Sequence, residues 1–124
     1  MNKYKHFNLE QRFIEFSLLV MKIVDKLPKT YVGQHFARQL IRSGTSPSFQ
    51  YGEAQGAESR KDFIHKLKIG LKELKETKVC LTLIKKHPLL SDPIVQNALD
   101  ECDQLIAITF KSISTAQVNL KSET

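Results

Sequence analysis

Lys61, His65, Lys68, Lys72 and Lys75 recur at spacings of four, three, four and three. On a helix turning 100° per residue, the five side chains fall within about 80° of one another. Four ammoniums and an imidazole in one row create a positive field along one edge. The chemistry that suits such a row is neutralisation of phosphate. Lysine is a flexible, compact point charge, fitted to phosphate contact rather than to reading base edges. Arg38, Arg42 and Arg60 add planar guanidinium forks that can grip phosphate bidentately. A plainer reading stands beside this one: charge runs are usually solvated faces, and Glu73 and Glu76 lie to one side of the row as balancing charges.

Other chemistries find less support. Glu53, Glu58 and Asp62 cluster around one turn, but helix capping and salt bridges to Arg60 or Lys61 explain carboxylates there better than acid–base catalysis does. His35, His65 and His87 lack an HExxH or related spacing, and two cysteines with four scattered histidines make no zinc pattern, so no metal or other cofactor is expected. Gly33, Gly44, Gly52, Gly56 and Gly70 are isolated and build no phosphate-cradling loop. Tyr4, Phe7 and Tyr51 can stack on bases, yet they do not interleave with basic residues as in single-strand-binding proteins. The chain is expected not to be an enzyme.

The chain has 124 residues, 41% of them hydrophobic and 26% charged, with a net charge of +6. This fits one soluble domain spanning 1–124. Residues 1–90 hold 17 Lys+Arg against 8 Asp+Glu, whereas residues 91–124 hold 2 against 5. A basic body with an acidic last element favours a polyanion partner or a head-to-tail self-contact. In the second case Asp100, Glu101 and Asp103 would meet a basic neighbouring surface. The opening MNKYKHFN lacks the apolar core of a signal peptide. No apolar run approaches the roughly 20 residues a membrane span needs. A cytoplasmic location and no membrane partner are expected. Cys80 and Cys102 fall inside helical apolar patterns and read as reduced, buried thiols; a disulfide between them is the alternative.

The elements that must position the basic row are all helical. Helix one should run from about 9 to 27, capped by Asn8, with Leu9, Phe13, Phe16, Val20, Ile23 and Leu27 as its stripe. Ile14, Leu18 and Met21 form a second apolar strip, so this helix should meet neighbours on more than one side. Pro28 ends it. Thr30 caps helix two, near 31–55, with Phe36, Leu40, Ile41, Tyr51 and Ala54 on its buried side. Pro47 within Ser43–Ser48 should kink that helix or break it, and one kinked helix is the reading taken. Ser59 opens helix three, near 60–86, with Phe63, Ile64, Leu67, Leu71 and Leu74 on one face. Ser91-Asp92-Pro93 opens helix four, near 93–120. The expected core is Phe13, Val20, Leu40, Leu67, Leu71, Leu74, Leu99, Ile106 and Ile113. Short turns between consecutive helices give an all-α, antiparallel up-down-up-down four-helix bundle.

Ile69, Cys80 and Leu83 project away from the main stripe of helix three, and the second half of helix four is too apolar to face water on most sides. Either the monomer has a wide core face, or Ile69, Cys80 and Leu83 join Ile108 and Phe110 in a subunit interface.

With the elements placed, the chain resembles the small bacterial four-helix-bundle proteins encoded in intervening sequences of large-subunit ribosomal RNA genes. That family includes the accessory variability protein of diversity-generating retroelements. The likeness is carried by Gln39-Leu40-Ile41-Arg42-Ser43-Gly44-Thr45-Ser46, by Glu53-Ala54 and by Gly56-Ala57-Glu58-Ser59. Asp62-Phe63-Ile64-His65-Lys66-Leu67-Lys68-Ile69 and Leu71-Lys72-Glu73-Leu74-Lys75-Glu76-Thr77 complete it. The resemblance implies a homopentameric, barrel-like assembly with a basic surface that binds nucleic acid. In the retroelement branch it also implies a reverse-transcriptase partner, which transfers only if gene context supports it. The function expected is therefore an oligomeric, non-enzymatic RNA- or DNA-binding bundle. The rival is a structural adaptor whose oligomer docks a protein partner and whose charge serves solubility alone.

Overall fold

In the computed structural model, which describes residues 9–123, the chain forms four helices. These are α1 (Leu9–Lys26), α2 (Tyr31–Gln55), α3 (Arg60–Lys86) and α4 (Pro93–Glu123). Helix α1 packs beside α2 and α4, and so does α3, while the diagonal pairs are not neighbours. The result is an antiparallel up-down-up-down four-helix bundle. The cap expected at Asn8 lies outside the described residues.

The starts of the later helices follow from local chemistry. The Gly33 N–H donates to Thr30 Oγ1 at 3.1 Å, and the Asp62 N–H donates to Ser59 Oγ at 3.0 Å. Each bond satisfies an N–H that the first helical turn leaves without a carbonyl partner. At α4 the cap is Asp92, whose Oδ1 accepts the Ile94 N–H at 2.9 Å. That bond, reinforced by Lys26 at 3.1 Å, holds the Asp92 carboxyl below its usual range. Gly33 is required by close approach, because a Cβ there would sit 2.0 Å from the Pro28 carbonyl oxygen.

Helix α2 runs unbroken through Pro47, whose ring is buried. Small residues around it let α1 come close. A Cβ on Gly44 would stand 2.7 and 2.8 Å from the two methyl groups of Val20. Ser17 pairs with the Ser48 hydroxyl, which in turn donates to the Phe13 carbonyl at 2.9 Å. Packing at this seam offsets the roughly 3 kcal/mol that an interior proline costs a helix.

The core has two parts. The larger joins Phe13, Phe16, Val20 and Ile23 of α1 with Leu40, Leu74, Leu81, Ile84, Leu99 and Leu105 of the other helices. The smaller joins Ala54, Ile64, Leu67, Ile113 and Ala116, with no member from α1. The described part of α1 has 18 residues and α4 has 31, about 27 Å against about 46 Å. The smaller end is therefore a three-helix layer among the described residues.

Two expected core positions sit at seams instead. Leu71 and Ile106 are only partly buried, each packed against the edge of a cluster. Helix α1 ends at Lys26 rather than Leu27, although the Leu27 side chain remains buried. Helix α4 continues to Glu123, three residues past the expected end. Cys80 and Cys102 are free and buried, so no disulfide joins α3 to α4.

Candidate functional site

The buried residues Leu67, Leu74, Leu81 and Ile84 fix which side of α3 faces inward. The basic row lies on the opposite side, so Lys61, His65, Lys68, Lys72 and Lys75 are all exposed. From Lys61 to Lys75 the row extends roughly 21 Å along the helix. Beyond Lys75 the same face continues with Val79 and Leu83, both exposed, and then Lys86. The periodicity of the sequence extends that far, and the continuation was legible at spacings of four, four and three.

Six other cations of the bundle have carboxylate partners, whereas Lys22, Lys29, Lys85, Lys86 and Lys111 make no ion pair with a described residue. Lys66 pairs with Glu53 of α2 at 2.8 Å, and Lys78 pairs with Asp103 of α4 at 2.7 Å. Arg42 holds Glu73 at 3.1 Å and Glu76 at 3.0 Å. Arg12 pairs with Glu101 at 2.7 Å, Lys26 with Asp92 and Arg60 with Glu123. The charged hydrogen bonds raise the pKa of Lys66, Lys78, Arg42 and Arg12 above their ordinary values. None of Lys61, Lys68, Lys72 and Lys75 has an ion pair with a described residue. Glu73 and Glu76 do lie beside the row, but both turn toward Arg42.

The arginines therefore divide. Arg38 is exposed on α2 and makes no ion pair with a described residue. Arg42 and Arg60 are exposed but already hold carboxylates, so an incoming phosphate must compete for them. The acidic start of α4 is similarly engaged within the chain. Glu101 accepts from Arg12, Asp103 from Lys78, and Asp100 from the Gln96 amide at 2.9 Å.

The five residues read as a subunit interface differ in exposure. Cys80 is 7% exposed and belongs to the core, with its thiol pushed up to about 11 by burial. Ile69 and Ile108 are partly buried. Leu83 is exposed on α3, where with Cys80 it borders a groove of about 430 Å³ also lined by His35, Phe36 and Val79. Phe110 is exposed on α4. Ile14, Leu18 and Met21, at helical spacing on α1, are all exposed, as is Phe49 on neighbouring α2. A second groove of about 580 Å³ opens beside the three-helix layer, lined by Leu9, Phe63, Ile108, Arg60 and Lys111.

Among the described residues no group of three or more His, Cys, Asp or Glu side chains could hold a metal ion. No described helix is long and apolar enough to cross a membrane.

Comparison with known proteins agrees with this architecture. No functionally curated protein matches the chain. A crystal structure of a protein with unknown function from the S23 ribosomal protein family, from Bacteroides thetaiotaomicron VPI-5482, superposes with a TM-score of 0.78 at 27% identity. The alignment covers 84% of this chain and 96% of that one. The family described as 23S rRNA-intervening sequence protein matches residues 5–111, most of the bundle. A match of that extent, on a chain with this helix order, places the protein in the 23S rRNA-intervening sequence protein family.

Proposed function

We propose that this protein is a non-enzymatic, self-associating helical bundle that binds RNA or DNA through phosphate contacts of the α3 row. The observation that carries the reading is the alignment, on one exposed face of α3, of four lysines that make no ion pair with a described residue. Arg12, Lys26, Arg42, Arg60, Lys66 and Lys78 each have a carboxylate partner, whereas Lys61, Lys68, Lys72 and Lys75, aligned on one face of α3, make no ion pair with a described residue. Carboxylates are close by and are turned elsewhere. A row left uncompensated over about 21 Å attracts a polyanion at long range and releases its counterions on contact. The α1 strip of Ile14, Leu18 and Met21 supports self-association, with a pentamer favoured by the family resemblance. Repeating the row around a ring sums weak contacts into avidity.

The test is fluorescence anisotropy with labelled RNA and DNA across a salt series. Binding should weaken steeply as salt rises and depend little on sequence. Replacing Lys68, Lys72 and Lys75 together by Glu should abolish binding, with helix content and oligomeric state unchanged. A wild-type protein that binds nothing at low salt makes the row a solvated face, and the adaptor reading takes its place.

A further inference from the structure

We propose that the polyanion taken by this row is single-stranded nucleic acid, with a base stacked on Phe110 and flanking phosphates on Lys68 and Lys75. The proposal rests on the phosphate-binding reading above and specifies its ligand.

The register of α3 against α4 is fixed along the whole seam. Lys78 meets Asp103 at 2.7 Å, Arg60 meets Glu123 at 2.7 Å, and Lys85 donates to Gln96. Phe110 lies seven residues beyond Asp103, and Leu71 lies seven before Lys78. Seven residues are two helical turns, so each returns to the face of its paired neighbour. Phe110 is therefore level with Leu71, a seam residue that is itself partly buried. On the surface of α3 the neighbours of Leu71 one turn away are Lys68 and Lys75. Two ammoniums that make no ion pair with a described residue, with backbone positions about 10 Å apart, bracket the level of an aromatic side chain that is 61% exposed.

The surroundings suit an anionic strand. From Gln104 to Ser122, α4 carries no Asp or Glu. On α3, Glu73 and Glu76 are bound to Arg42 on the far side of the row. A base with a free π-face can stack on the Phe110 ring while its phosphates meet the lysines, an arrangement tolerant of sequence. In a duplex those faces are already stacked. The aromatic–basic interleaving that the linear sequence lacks is thus assembled across two helices.

The experiment compares labelled single-stranded oligothymidylate, an abasic strand of equal length and a duplex, all at one low salt concentration. Wild type should bind the thymidylate more tightly than either of the others. Phe110→Ala should weaken thymidylate binding roughly tenfold and leave abasic-strand and duplex binding unchanged. Because the chain contains no tryptophan, Phe110→Trp supplies a single reporter, and its fluorescence should be quenched by thymidylate but not by the abasic strand. Equal binding of all three ligands, unaffected by Phe110→Ala, overturns the stacking proposal while preserving phosphate binding. Binding of none of them overturns both. If Phe110→Ala dissociates the oligomer in light scattering, Phe110 is a self-contact and the stacking proposal fails.

Discussion

Lys78 Nζ stands 2.7 Å from Asp103 Oδ1 across the α3–α4 seam. Three residues earlier on the same helix, Lys75 is exposed and makes no ion pair with a described residue. The two lysines are chemically identical and differ only in where the helix turns them. The pair ties the register of the bundle to the edge of its uncompensated field.

That contrast predicts unequal effects from equal charge changes. Lys72→Gln should reduce nucleic-acid affinity and flatten its salt dependence by about one counterion. Lys78→Gln should change both little, because Asp103 already neutralises that ammonium. Anisotropy titrations of the two variants at several salt concentrations provide the comparison.

Leu74 is fully buried, whereas Leu71, one turn away, is at the seam. Leu74→Ala should cost about 2–5 kcal/mol in urea denaturation, through lost transfer energy and a residual cavity. Leu74→Asp should prevent folding, since it buries an unpaired charge. Leu71→Asp has a path to solvent and should retain helix content by circular dichroism.

Gly44 allows α1 and α2 to approach. Gly44→Ala should destabilise the bundle by about 1–3 kcal/mol, because the added methyl meets both Val20 methyl groups. Val20→Ala in the same chain should recover part of that loss. A double-mutant cycle in urea measures the coupling.

Burial pushes the Cys80 thiol up to about 11 and the Cys102 thiol up to about 12. The native fold therefore favours the protonated thiols over their unfolded value of 9.0. This contribution to stability is fully present below pH 9 and is lost as pH rises through about 11 and 12. Thermal melts from pH 8 to 11 should show falling stability, and replacing both cysteines by Ala should flatten that dependence. Neither thiol should react with a disulfide reagent at pH 7.5 until the chain is unfolded in urea.

If Ile14, Leu18 and Met21 cover one another between subunits, replacing Leu18 by Lys should dissociate the assembly. Light scattering after size exclusion should then report a monomer with unchanged helix content. A wild-type protein already monomeric at tens of micromolar would overturn self-association.

The sequence by itself determined the helices and their inward faces. Proline, glycine and hydroxyl caps act within a few residues, and the 3.6-residue period assigns each side chain to a face without knowledge of its neighbours. Thus Thr30, Ser59 and Pro93 marked helix starts, and Lys61 to Lys75 were already one row. Tertiary structure decided what each face meets. Ion pairing depends on the register between helices, so the sequence could not show that Arg42 takes Glu73 and Glu76 away from the row. It could not show that Leu71 lies at a seam, or that Cys80, off the main stripe of its own helix, is enclosed by the packing of α2. Nor could it bring Phe110 level with Leu71, because that placement needs α4 docked against α3. Periodicity is a property of one helix, whereas burial at an edge and charge compensation belong to pairs of helices.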